Sequence, residues 1–266
     1  LGQTVLVENK PGASNMIGMA AGAAAAPDGY TLVMGSTTSM SVVPHLYSKV
    51  PYRHDKDFAP ISIVGLLNTA LTANAGVKEN NAKELIARLK ADPDALVAAT
   101  SGVGSYSHLA GEWFAAGAGL KMRFIPYATT SPYTDLLGGQ QVHLIFDALP
   151  AAIGNVRAGK LKVLALTGKT RHPKFPDVPT FAEAGITNYS PTPWIGLFAP
   201  AGTPKPIVDK YSTEIVRIVK LPDVRARLYE QTLMPVGDNA ASFARTLKRD
   251  KVLWQNIVTA AGIKPQ

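Results

Sequence analysis

Short apolar runs bounded by turn residues alternate along this chain with stretches of helical spacing. The runs predict strands over 5–7, 31–34, 61–66, 70–73, 96–99, 122–125, 144–146, 163–166 and 195–198. Between them, residues 14–25 (SNMIGMAAGAAA) are small and apolar and end at Pro27-Asp28-Gly29. Residues 81–91 place Ala82, Leu85, Ile86 and Leu89 on one helical face. Helices are also predicted over 107–118 and 132–138, where Pro132 suits a first turn. Shorter ones are predicted over 150–158 and 180–184. The last third changes character. Residues 204–219, 222–231 and 239–261 read as three helices, with Pro204 and Pro222 near two starts and Gly262 after the third. Strand–helix alternation predicts an α/β fold with largely parallel sheets. Nine strands and six or more helices fit two α/β lobes better than one sheet.

Composition narrows the function. The 266 residues are 46% hydrophobic and 17% charged, enough for one large or two medium domains and unlike a disordered chain. There is no cysteine, which excludes disulfides, cysteine-ligated zinc, iron–sulfur clusters and cysteine nucleophiles, and leaves the compartment open. No stretch approaches the ~18 apolar residues of a membrane span. Residue 1 is Leu, and Leu1-Gly-Gln-Thr-Val-Leu-Val-Glu8 reads as a strand already under way, so any targeting segment is expected upstream. The net charge of +8 is uneven: residues 1–97 balance, and the excess grows toward the C-terminal helices. The densest basic run, residues 245–251 (RTLKRDK), lies on a predicted helix without the interleaved aromatics or module of a nucleic-acid binder. It reads as a solvated face that weakly steers anions.

Loops at the carboxyl ends of strands carry ligands in α/β proteins. Two stand out. Gly35 is followed by four hydroxyl residues, Ser36, Thr37, Thr38 and Ser39, of which a helix cap would explain one or two. The second loop runs Thr100-Ser101-Gly102-Val103-Gly104-Ser105-Tyr106-Ser107-His108. Its glycines admit close approach, and the following helix offers free N–H groups, the makings of an anion site. Gly102-x-Gly104-x-x-Ser107 nearly matches a dinucleotide fingerprint, but residues 121–131 lack the acidic partner that motif wants. There is no Walker A loop and no Gly-x-Ser-x-Gly elbow, and the five histidines show no zinc spacing. His108 reads first as a hydrogen-bonding partner of the loop backbone. A Ser105–His108 pair with Asp147 stays open as a hydrolase. Asp147 ends an apolar strand before Pro150 and reads as a helix cap or a ligand contact. Tyr106, Tyr127 and Trp194 are candidate pocket walls.

Taken in order, these motifs resemble the substrate-binding receptors of tripartite tricarboxylate transporters, the Bug family of Gram-negative periplasms. The matching stretches are Val7-Glu-Asn-Lys-Pro-Gly-Ala13, Ala26-Pro-Asp-Gly-Tyr-Thr-Leu32, Lys56-Asp-Phe-Ala-Pro-Ile61 and Ser101-Gly-x-Gly-Ser105 with Ser107-His108-Leu109. Asp135-Leu-Leu-Gly-Gly139, Phe146-Asp147, Pro176-Asp-Val-Pro-Thr180 and Ala199-Pro-Ala-Gly-Thr-Pro204 follow. The resemblance implies a two-lobed α/β periplasmic-binding-protein fold of the type II class, with 1–97 plus 195–266 in lobe one and 98–194 in lobe two. It implies a small carboxylate, aromatic or dicarboxylic among the options, held in the cleft by Ser36, Thr37, Thr38, Ser39, Thr100, Ser101, Gly102, Gly104, Ser105, Tyr106, Ser107, Tyr127 and Asp147. It also implies a monomer without catalysis, cofactor or metal that delivers its ligand to a membrane permease, with a sensor kinase as the other candidate partner. Leu1 aligns just after the family's first strand, Gly-rich loop and helix, so that part and a signal peptide are expected upstream. Two departures, Ala128-Thr129 for the family's frequent Lys-Gly and Ala148 for its frequent Asn, imply a less polar second end of the ligand.

Overall fold

The computed structural model describes residues 2–127 and 131–265. Two sheets organise the chain. The first has the order β1-β8-β2-β9, built from β1 (Val33–Ser36), β8 (Trp194–Pro200), β2 (Phe58–Leu67) and β9 (Leu233–Pro235). All its pairings are antiparallel. The second has the order β5-β4-β6-β3-β7, from β5 (Arg123–Pro126), β4 (Val97–Thr100), β6 (Leu144–Ala148), β3 (Thr69–Asn74) and β7 (Leu161–Leu166). Here β4 runs parallel to β5 and β6, while β3 is antiparallel to β6 and β7. The expectation of largely parallel sheets therefore holds only for β5, β4 and β6. Strands that re-enter a sheet from the other lobe do so from the opposite end, and they pair antiparallel.

Helices flank both sheets: α1 (Met16–Ala23), α2 (Val43–Leu46), α3 (Ala82–Ala91), α4 (Tyr106–Ala118), α5 (Pro132–Gly138), α6 (Leu149–Arg157), α7 (Lys205–Val219), α8 (Pro222–Glu230) and α9 (Ala240–Ala260). Local chemistry sets several starts. Asn81, Ser105, Ser131 and Asn239 each cap a helix by accepting a backbone N–H. The helix expected at 180–184 is a run of turns held by a Thr180–Glu183 hydrogen-bond exchange. The strand expected at 5–7 finds no sheet partner among the described residues, and Val5, Leu6 and Val7 are exposed.

The boundary expected at residue 97 moves. β3 belongs to the second sheet, and Leu85 and Leu89 of α3 join the core of that sheet with Leu71, Phe114 and Phe146. The chain thus leaves the first lobe at Asn68, between β2 and β3, and re-enters it at Trp194. The crossing segments are tied together. Thr69 N donates to Thr167 Oγ1 at 2.8 Å, Thr69 Oγ1 donates to Pro191 O at 2.6 Å, and Leu67 N donates to Pro193 O at 2.7 Å. Ala70–Ala73 is a short run of small side chains, and composition alone does not say which sheet will claim it.

One helix joins the lobes from the side. Trp254 of α9 is 2% exposed and packs with Val42, Leu46, Leu109 and Val258. Its ring lies 5.7 Å from Tyr106 and 6.2 Å from Trp113, both on α4.

Candidate functional site

A cavity of about 550 Å³ lies where the two lobes face each other. That volume is ordinary for a small-molecule site. One wall is the loop after β4. Gly102 (φ +117°) and Gly104 (φ +78°) turn it through backbone conformations that side chains rarely adopt. The loop then wires itself to α4. Ser101 N donates to Ser107 Oγ (2.9 Å), Gly104 N to His108 Nδ1 (3.0 Å), and His108 N to Ser105 Oγ (3.3 Å). Ser105 N donates to Gly102 O at 3.1 Å. Among the described residues, the amides of Tyr106 and Ser107 are left without an acceptor in the chain. They sit at the positive end of a 13-residue helix, which favours an anion.

The facing wall comes from the first lobe. A π-helical turn over Thr38–Val42 runs straight into α2. Thr38, Val42, Val43, Leu46 and Tyr47 line the cavity, spaced as one face of a helix. Ser14, Pro126 and Ile263 complete the lining with Ser101, Gly102, Val103, Gly104, Ser105 and Tyr106.

Of the expected site residues, Thr38, Ser101, Gly102, Gly104, Ser105 and Tyr106 are brought together here. The others have different placements. Ser36 and Ser39 bind each other: Ser36 N donates to Ser39 Oγ at 3.0 Å and Ser39 Oγ to Ser36 O at 3.2 Å. Thr37 is buried and its Oγ1 accepts from Trp194 N at 2.9 Å. Three of the four hydroxyls thus hold the strand end, more than the one or two a cap would explain. Thr100 is buried at the end of β4, and its carbonyl accepts from Tyr127 N. Ser107 is buried behind the loop it holds. Tyr127 Oη donates to Asp135 at 2.8 Å. Asp147 accepts from Tyr133 Oη (3.2 Å) and Ala148 N (2.7 Å), and burial raises its pKa. Trp194 is buried and donates through Nε1 to Asp250 at 2.8 Å. Ala128-Thr129, the first departure noted in the sequence, lies outside the described residues.

His108 settles into the structural role. Its Nδ1 accepts from Gly104 N, and its Nε2 faces Glu112 at 3.5 Å. Ser105 Oγ meets only the backbone N of His108 and Ser107 Oγ. Neither imidazole nitrogen is placed to take a proton from Ser105, so the pair is not arranged as a nucleophile and base.

The cavity lining contains no Lys, Arg, His, Asp or Glu among the described residues. A second cavity, of about 360 Å³, is charged: Lys78, Glu79, Arg88 and His143 line it with Asn74 and Leu96. All its residues come from the second lobe, so lobe movement would not close it.

Burial lowers the pKa of all five histidines, His45, His54, His108, His143 and His172. A histidine with a depressed folded pKa contributes stability that is present above its unfolded value of 6.5 and is lost as pH falls below it. The melting temperature is therefore expected to fall as pH drops from about 7.5 to about 6. Differential scanning fluorimetry across that window checks this; a flat or rising midpoint contradicts it.

Residues 1–263 match the family described as tripartite tricarboxylate transporter family receptor. The chain belongs to that family. Among solved structures, the periplasmic binding protein BugD is 33% identical, with a TM-score of 0.82 over 100% of this chain and 89% of that one. R. palustris Rpa4515 with adipate is 28% identical, with a TM-score of 0.87 over the same shares. MatC from Rhodopseudomonas palustris with bound malate is 31% identical, with a TM-score of 0.78 over 97% of this chain and 88% of that one. The fold is thus the two-lobed α/β architecture of periplasmic binding proteins, and the family is one of solute-binding receptors. No helix among the described residues is long and apolar enough to cross a membrane.

The residues that sequence reasoning missed are mainly apolar: Val42, Val43, Leu46 and Ile263. Val42 and Leu46 carried a signal. Thr38, Val42, Leu46 follow at i, i+4, i+8, a helical stripe obscured by the neighbouring hydroxyls.

Proposed function

We propose that this receptor binds a small carboxylate in the 550 Å³ cavity and hands it to a membrane permease. The observation that carries the reading is the acceptor-free amide of Tyr106, a lining residue at the start of α4, in a cavity that both lobes line. The carboxylate sits on that amide and on the Ser105 hydroxyl. Thr38 and the α2 face meet the ligand from the other lobe. Only the closed arrangement makes both sets of contacts, so ligand shifts the lobes toward closure. Bending falls on the two crossing segments, at Asn68–Thr69 and Pro191–Pro193, the first of which is tied to Thr167. Structures of relatives with adipate and with malate support a carboxylate. The protein acts as a periplasmic monomer and uses no cofactor.

Calorimetry of the full-length protein against a panel of mono- and dicarboxylates tests this. Saturable binding of at least one acid is expected, weakened about three- to tenfold by Thr38→Val and by Ser105→Ala, the loss of one hydrogen bond each. No binding across the panel, or binding untouched by both substitutions, overturns it.

A further inference from the structure

One residue of the cavity lining also reaches the segments that join the lobes. Tyr106 lines the cavity, and among the described residues its amide, at the start of α4, has no acceptor in the chain. Its ring packs against Trp254 of α9, from the first lobe, at 5.7 Å. Its hydroxyl ends at the crossing segments, hydrogen-bonded to Thr69 Oγ1 and 3.5 Å from Pro191 O. Thr69 Oγ1 gives its single proton to Pro191 O at 2.6 Å, so the phenol is the donor in its bond to Thr69. Burial raises the pKa of the phenol and keeps that proton in place. Two hydrogen bonds thus run in series from Tyr106 through Thr69 to Pro191. Thr69 lies on the first crossing segment and Pro191 on the second. Thr69 is buried and is not part of the cavity lining.

We propose that Tyr106 couples the bound acid to the hinge: its amide meets the carboxylate, and its hydroxyl, through Thr69, holds the two crossing segments together in the closed arrangement. This deepens the carboxylate reading above and rests on it. An acid on the amide fixes the first turn of α4. The Tyr106 side chain leaves from that turn, so the phenol is fixed where it bonds Thr69. Hydrogen bonds in series polarise one another, and a buried setting strengthens them. The Thr69 hydroxyl acts on affinity only by favouring the closed arrangement. Lowering the population of a binding-competent state lowers the apparent affinity by the same factor. Through its hydroxyl, Tyr106 is a positioning residue.

The test titrates the full-length protein with adipate, malate and benzoate and follows their release by stopped flow. Tyr106→Phe keeps the amide and the ring and removes only the hydroxyl; Thr69→Val removes the middle of the series without touching the lining. Each is expected to weaken binding about three- to tenfold, through faster release. The double variant is expected to bind no more weakly than Thr69→Val alone, because both changes break one series. Tyr189→Phe is the control. It removes a buried phenol hydroxyl that has no partner among the described residues, and it is expected to bind and release like wild type. Wild-type affinity in both single variants, losses that add in the double variant, or an equal loss in Tyr189→Phe overturns the coupling and leaves the carboxylate site standing. Binding of none of the three acids by the unaltered protein overturns both. If one single variant fails to fold, the other against Tyr189→Phe decides the matter.

Discussion

Replacing Trp254 by alanine is expected to cost about 3–5 kcal/mol, the range for deleting a large buried aromatic. The side chain is 2% exposed and touches both lobes: Val42 and Leu46 on one, Leu109, Tyr106 and Trp113 on the other. Truncation leaves a void between α9, α2 and α4 that no single lobe can collapse to fill. For a chain of this size the midpoint should fall on the order of 10 °C. Because the void lies behind Tyr106 and Leu46, two cavity-lining residues, ligand affinity should fall too. Trp254→Phe, which keeps a ring in the space, should recover most of both losses. Scanning calorimetry and ligand titration on the two variants read this out; a loss below about 1 kcal/mol for the alanine variant contradicts the packing described.

Phe114→Ala should cost as much and do something different. Phe114 is fully buried in the second lobe, with ring contacts to Phe146 at 4.9 Å and to Phe181 and Tyr189 at 5.8 Å. Its removal is expected to destabilise by about 3–5 kcal/mol. None of its ring partners lines the cavity between the lobes. Affinity measured on the folded fraction should therefore stay near wild type. Urea unfolding supplies the first quantity and titration well below the midpoint the second. Parallel losses of stability and affinity in this variant would mean that the cavity is not confined to the interlobe surface.

Much of this was legible in the chain. Eight of the nine expected strands form, within a few residues of their expected bounds. The anion loop also stands where the glycines and Ser105 put it, because positive-φ glycines and a serine cap act locally. What was illegible depends on tertiary pairing. Nothing within 70–73 says which sheet it joins, since its partners lie near residues 145 and 163. The run Ser36-Thr37-Thr38-Ser39 looked like four ligand donors, but Trp194 N, 157 residues away, claims Thr37, and Ser36 and Ser39 claim each other. Asp147 illustrates the same limit: a carboxylate at a strand end can face a ligand or a neighbouring helix, and here Tyr133 of α5 takes it. Ile263 was invisible as a site residue because only the folded end of α9 carries it to Gly104.

The basic excess also finds its place away from the site. The larger share of it lies on and around α7, α8 and α9, largely exposed, and the rest on the second lobe, whereas the cavity lining is uncharged among the described residues. Recognition of an acid here falls to backbone dipoles and hydroxyls.

The most direct test is a crystal structure of the full-length protein soaked with 4-bromobenzoate. The carboxylate is expected on the Tyr106 amide and the Ser105 hydroxyl, with the anomalous bromine peak inside the cavity that both lobes line. A ligand seated instead among Lys78, Arg88 and His143, in the charged cavity of the second lobe, would contradict it.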